Sequence, residues 1–214
     1  MRKFKTINSK RKTARGFTLI EMLMTIFIFT VLMGGVSLLF IEVFNTSKHK
    51  SAEIYTIDSA RKVLFNFTNE MRSAAYGADG SYPINQAGNS QLIIFSPYGG
   101  DGSVQRIRYF LSSTTLYKGI TVAAGTPPVY NTATETVWPV LSNVVNGATP
   151  VFQYYDGTFA GTSTPLVQPV SVTAITFAQM NLQLLSQSAT TNATGTFYMT
   201  GGAAVRNLKT NLGN

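Results

Sequence analysis

Twenty consecutive residues without a charge, Met22 to Ile41, lie between Glu21 and Glu42 and consist mostly of Leu, Ile, Phe, Val and Met. At about 1.5 Å per helical residue the run reaches roughly 30 Å, the thickness of a bilayer's hydrocarbon core, so it reads as a membrane-spanning helix. The flanks orient it. Seven of the 17 basic residues, Arg2, Lys3, Lys5, Lys10, Arg11, Lys12 and Arg15, precede residue 16 with no acid among them, whereas Glu42, Lys48, Lys50, Glu53 and Asp58 follow the run with mixed sign. The positive-inside rule therefore places the N-terminus in the cytoplasm and the rest of the chain outside. A secretory signal has a shorter apolar region, about 7 to 15 residues, followed by small residues. Gly34 and Gly35 mimic such a site, but the apolar run continues past them.

The same seven residues supply all but one unit of the formal charge of +8: ten basic residues face nine acidic ones in the remainder. The body is nearly neutral, and nothing in it argues for a basic groove on phosphates or for direct binding of nucleic acid. Without cysteine, neither disulfides nor a thiolate metal site is available.

Glu21 stands out, because a carboxylate inside an apolar segment is costly unless something compensates it. The plainest compensation is a side chain reaching back to the headgroup level near the cytoplasmic end of the span. The surrounding residues suggest a second one. "RGFTLIE", Arg15 to Glu21, between a basic leader and a long apolar run, resembles the class III leader of type IV pilins and type II secretion pseudopilins. That resemblance implies removal of residues 1–16 by a prepilin peptidase that needs a residue without a side chain at Gly16. It also implies N-methylation of the new N-terminus, Phe17, and a role for Glu21 in pairing with the free amine of a neighbouring subunit. An apolar helix gains little by moving from lipid into a bundle of like helices, so such a pair sets stagger more than strength. Many members of the family carry a proline in the helix, whereas the first proline here is Pro83. Gly34 and Gly35 are then either close-packing positions or weak points, each costing about 1 kcal/mol relative to Ala in a helix.

Beyond Glu42, Ile54, Ile57, Ala60, Leu64, Phe67, Met71 and Ala74 recur at spacings of three or four, with Lys48, Glu53, Asp58, Arg61, Lys62, Glu70 and Arg72 distributed around them. This pattern predicts an amphipathic continuation of the helix, from Phe17 to about Ala75, stopped by Gly77-Ala78-Asp79-Gly80. From residue 76 to 214 the expectation is a β-rich head. Strands are predicted at Gln91–Pro97, Val104–Leu111 (with Ile107, Tyr109 and Leu111 on one face), "TTLYKGI", Thr136–Val145, a pair around Asp156-Gly157, Val170–Leu182 and Thr196–Leu208. They form an antiparallel sheet, with Gly161–Pro169 and Gln187–Thr196 as exposed loops. The fold class is α+β, a lollipop of long helix and antiparallel head.

The order "NEMRSAAYG", "QLIIFSP", "GDGSVQRIRYFLSSTTLYKGI", "VLSNVVNGATPVFQYYDG", "VRNL" is similar to that of J-class minor pseudopilins and PilW-like minor pilins. The resemblance implies a non-enzymatic inner-membrane subunit with a periplasmic head. Its partners would be the prepilin peptidase and other minor and major pilin-like subunits, and it would prime or cap a secretion filament or a pilus. An anchored adhesin is the alternative from another class, with loops such as Gln187–Thr196 as the contact.

Little points to catalysis. His49 is the only histidine and lies between Lys48 and Lys50 on the predicted helix, so it reads as a solvated surface residue, and no nucleophile–His–acid set can be built. Asp101-Gly102-Ser103 offers one carboxylate, too few for calcium, and turn chemistry explains it. Arg106 and Arg108 read as solvent-facing alternates on their strand. No cofactor or metal is expected.

Overall fold

In the computed structural model, residues 16–100, 102–187 and 194–206 are described. A single helix, α1 (Leu19–Arg72), is followed by ten strands. They are β1 (Ile84–Ala87), β2 (Gln91–Pro97), β3 (Val104–Ser112), β4 (Thr115–Thr121), β5 (Ala123–Ala124), β6 (Val129–Tyr130), β7 (Thr136–Leu141), β8 (Phe152–Tyr155), β9 (Phe177–Gln187) and β10 (Thr194–Ala204). The architecture is the expected α+β, pilin-like one: a long apolar N-terminal helix followed by antiparallel sheets. The chain divides between Ser47 and Lys48 into two compact units.

In the first unit the helix segment presents its side chains outward all round, and from Gly16 to Phe44 every residue is exposed. The hydroxyls in it are satisfied locally: Thr25 Oγ1 donates to the Glu21 and Met22 carbonyls (both 2.9 Å), Thr30 to Phe27 (2.8 Å) and Ser37 to Met33 (2.8 Å). That internal bonding makes polar side chains tolerable where water is absent. The helix runs through Gly34 and Gly35 without interruption.

In the second unit the apolar spacing is realised as a buried stripe of Ala60, Val63, Leu64, Phe67, Met71 and Ala74. Two sheets meet it. One has the strand order β1-β2-β3-β4-β7 and the other β10-β9-β8, and β5-β6 form a separate two-stranded ribbon. Period-two alternation decides what each strand contributes. The first sheet buries Leu92, Ile94, Ile107, Tyr109 and Leu116, and the second buries Phe152, Tyr154, Ala178, Met180, Leu182 and Leu184. Phe67 joins the two halves, its ring edge-on to Tyr109 at 5.8 Å and tilted against Phe152 at 6.1 Å. Truncating such a fully buried ring costs about 3 to 5 kcal/mol. A Cβ at Gly201 would stand 3.1 Å from Leu64 Cβ, so the glycine lets β10 approach the helix.

Several sequence expectations are corrected. The described residues of the head form three antiparallel sheets rather than one. Asp156-Gly157 does not join a strand pair: β8 pairs with β9, and Phe159 instead packs against Tyr155 (4.2 Å) and Phe177 (4.5 Å). The segment from Val170 is not strand until Phe177, since Val172–Ala174 is a 3-10 turn. β7 stops at Leu141, where Ser142 to Val145 peel away to lie along β9. Gly161–Pro169 has no regular structure but is not wholly exposed: Leu166 packs on the core and its N–H donates to the Tyr154 carbonyl at 2.8 Å. Of the predicted loop Gln187–Thr196, Gln187 belongs to β9 and Thr194–Thr196 to β10. Its residues 188–193, residues 207–208 of the last predicted strand and the leader, 1–15, lie outside the described residues.

Candidate functional site

Gly16, Phe17 and Thr18 precede α1 as non-helical chain, and Phe17 is exposed. A Cβ built on Gly16 meets nothing within 4 Å. Among the described residues, nothing packs closely enough to require a glycine there. Thr18 starts the helix as its cap. The Glu21 N–H donates to Thr18 Oγ1 (3.4 Å) while the Thr18 N–H donates to Glu21 Oε2 (3.5 Å). This reciprocal arrangement is the capping box: it gives the Thr18 N–H a partner, while the Glu21 N–H is shared between the Thr18 hydroxyl and the Thr18 carbonyl at 3.1 Å. The Glu21 carboxylate also lies at the positive end of the helix dipole. Its compensation is thus first of all local, at the helix start, and one carboxylate oxygen remains for another partner. The pattern Thr-x-x-Glu was legible in the sequence.

Following the cap, Leu19–Phe44 is a 26-residue segment of mean hydropathy 2.4 with none of its residues buried. At about 1.5 Å per residue it measures roughly 39 Å, enough to cross a bilayer. An apolar surface this large on one exposed helix marks a membrane or protein contact.

Two charged clusters in the head were not read from the sequence. Glu70, expected among the solvated residues of α1, is buried on the same stripe as Phe67, Met71 and Ala74. Its carboxylate pairs with Lys118 of β4 and accepts from the Tyr109 hydroxyl of β3 at 2.7 Å. Its carbonyl accepts from Ser96 Oγ of β2 at 2.9 Å. The Lys118 ammonium lies 4.5 Å from the Tyr98 ring centroid and 5.3 Å from that of Tyr109. Burial, then the Glu70 charge, pushes the Tyr109 hydroxyl well above its ordinary range. The spacing 67, 70, 71, 74 was the available signal.

On the opposite face of the first sheet, Arg106 and Arg108 are not solvent-facing as expected. Both reach Glu135, Arg108 in a two-pronged pairing (Nε to Oε1 2.9 Å) and Arg106 at 3.4 Å. Glu135 crosses β4 over Gly119, where a Cβ would stand 2.5 Å from its Oε1. The Arg108 hydrogen bonds hold the Glu135 carboxyl below the usual range against the opposing effect of burial, and burial lowers Arg106. The Arg108 guanidinium also stacks 4.0 Å from the Phe110 ring. Glu70 and Lys118 neutralise one another, whereas Arg106 and Arg108 share the single carboxylate of Glu135 and keep one net positive charge.

The described residues hold no group of three or more His, Asp or Glu side chains fit for a metal. An open groove of about 290 Å³ between Tyr55, Ser59 and the Pro139–Asn143 segment has no Asp, Glu, His, Lys or Arg among its lining residues. The side chain of His49 and residue Asp101 lie outside the described residues. What can be assembled is therefore a site at the start of an apolar helix, made of Gly16, Phe17, Thr18 and Glu21. Residues 11–37 match the family model for the prokaryotic N-terminal methylation motif. Comparison with curated proteins gives no match.

Proposed function

We propose that this chain is a minor pilin-like subunit that, once a prepilin peptidase has cut it between Gly16 and Phe17, assembles with other pilin-like subunits to prime or cap the filament of a type II secretion system. The premise is the methylation motif, the N-terminal mark of the type IV pilin and type II secretion pseudopilin family, whose members are structural proteins processed by that peptidase. The observation that carries the proposal is the motif's setting: no described residue crowds its glycine, and the apolar helix after it is exposed from Leu19 to Phe44. In this reading the precursor is held in the inner membrane with residues 1–16 in the cytoplasm and the head, from residue 76, on the other side. Phe17 becomes an N-methylated amine, and Glu21 of one subunit pairs with the Phe17 amine of the next. No cofactor takes part.

A place in a type IV pilus is the second reading; the processing site and helix would serve it equally. The order of head segments favours the secretion system through its similarity to J-class minor pseudopilins, and PilW-like minor pilins keep the pilus in view. N-terminal mass spectrometry of the protein made with and without a prepilin peptidase tests the shared core. The expected product begins at methylated Phe17 only when the enzyme is present. A mature chain that starts elsewhere, or the same chain without the enzyme, would refute it.

A further inference from the structure

β10 is the free edge of the β10-β9-β8 sheet, eleven residues long and paired with β9 without a register break. Its sequence, TGTFYMTGGAA, contains no charge and no proline. Edge strands normally carry such features, or are short or bulged, because unpaired main-chain groups recruit other strands. The other edges of the head follow that rule. β1 has four residues and a bulge. β7 contains Pro139. β8 has four residues, and its outer side is occupied by bonds from Val151 and Phe152 to the Asn89 carbonyl and from Leu166 to the Tyr154 carbonyl. Even the length of β9 beyond β8 is covered, by Asn146 and by Asn143 to Val145.

Which groups of β10 are free follows from strand alternation, since the N–H and C=O of one residue point to the same side and those of the next to the other. On β9 the main chain of Asn181, Gln183 and Leu185 bonds away from β10, to Val151, Asn146 and Asn143. Met180, Leu182 and Leu184 therefore face β10, where they pair with Gly201, Met199 and Phe197. The alternate residues Thr196, Tyr198 and Thr200 turn both N–H and C=O outward, and no described residue bonds them there. All three are exposed, Tyr198 by 69 %.

We propose that β10 is a docking edge that takes an uncharged β-strand from the head of a neighbouring, different subunit in the filament, so that the β10-β9-β8 sheet continues across the contact. Strand addition draws affinity from the main chain and tolerates only a complementary set of side chains. The edge fixes that set as neutral, because a charge opposite Thr196, Tyr198 or Thr200 would lose water without a partner. A second copy of this chain paired antiparallel does not fit. Two β10 edges joined antiparallel are related by a two-fold normal to the sheet, and α1, lying against that sheet through Leu64 and Gly201, would run in reverse in the second copy. Subunits inserted from one membrane share one helix direction.

The inference rests on the assembly reading above, and amide hydrogen exchange separates the two. Full-length processed protein is compared in detergent micelles and in filaments formed with its partner subunits. The Thr196, Tyr198 and Thr200 amides should exchange freely in micelles and slow by about 100-fold or more in filaments, while Phe197, Met199 and Gly201 are protected in both. Tyr198→Pro, which removes an N–H unused within the head, should leave the micelle protection of Met180 and Leu182 in place and reduce incorporation at least tenfold. Incorporation with unchanged exchange at the three amides would overturn the docking edge and leave assembly standing. Protection already present in micelles, together with a dimer mass, would show self-pairing and overturn the different-subunit partner. Absence of the protein from filaments would overturn both readings.

Discussion

Replacing Lys118 by Met puts a sharp demand on the head. Lys118 and Glu70 are 5 % and 9 % exposed, and their ion pair fastens the end of α1 to the middle of the first sheet. At a separation of about 3 Å and an effective dielectric of about 20, the attraction is roughly 5 kcal/mol, most of it offset by desolvation of the two ions. Lys118→Met removes the attraction but leaves the Glu70 carboxylate buried with only the Tyr109 hydroxyl, and stranding a buried charge costs about 3 to 5 kcal/mol. For a head of this size that is a fall of roughly 6 to 20 °C in the midpoint of thermal unfolding. Adding Glu70→Gln removes the stranded charge while keeping an acceptor for Tyr109. The double variant should therefore recover to within about 1.5 kcal/mol of the parent, with a coupling energy of about 2 kcal/mol or more. Trp138, the only tryptophan, pairs in register with Lys118 across β4 and β7, so urea titration of the full-length protein in micelles followed by its fluorescence reads the transition directly. A loss below about 1 kcal/mol for Lys118→Met, or a double variant as unstable as the sum of the singles, would refute the reasoning.

Two further outcomes follow from the other charged groups. Because Arg108 lowers the Glu135 carboxyl in the folded state, that group's contribution is fully present above its unfolded value of about 4.3 and is lost as pH falls through the lowered folded one. The stability difference between the parent and Glu135→Gln should thus shrink as pH is taken from 7 to about 3, and a difference independent of pH would contradict the ion pair. Glu21→Gln keeps the capping box, since Gln serves at that position as well as Glu. It should leave membrane insertion unchanged while lowering incorporation into filaments roughly tenfold, the equivalent of about 1.4 kcal/mol. Undiminished incorporation would show that Glu21 is only a helix cap.

The parts of this molecule that were legible in the sequence are those governed by one strong periodicity. Length and apolarity alone located the helix between Glu21 and Glu42, and three-and-four spacing carried it to its end near Arg72. Alternation found β2, β3 and β4 to within a residue or two, helped by the tight turn in which Ser113 takes φ 55. It failed where tertiary contacts choose the conformation. The stretch from Val170 alternates well enough for a strand, yet Val172–Ala174 folds as a 3-10 turn and the β9 strand begins only at Phe177. Charged residues were misplaced for a related reason. Glu70 and Lys118 are distant in sequence and are buried only because each neutralises the other, and the glycine that admits Glu135 over β4 is unremarkable until the crossing is seen. At the N-terminus the opposite holds: Gly16, Phe17 and Glu21 were picked out by the motif, while the geometry adds Thr18 as the partner of Glu21.

Phe67, held between Tyr109 of one sheet and Phe152 of the other, bears on how the head meets a mechanical load. A tug along α1 cannot peel the two sheets away in succession, because Phe67 touches both, Glu70 is held by the first and Leu64 lies against β10 of the second. All of these contacts must slide together. Loaded in shear, they yield only when many give way at once, so the sheets of the head would come apart together rather than one by one.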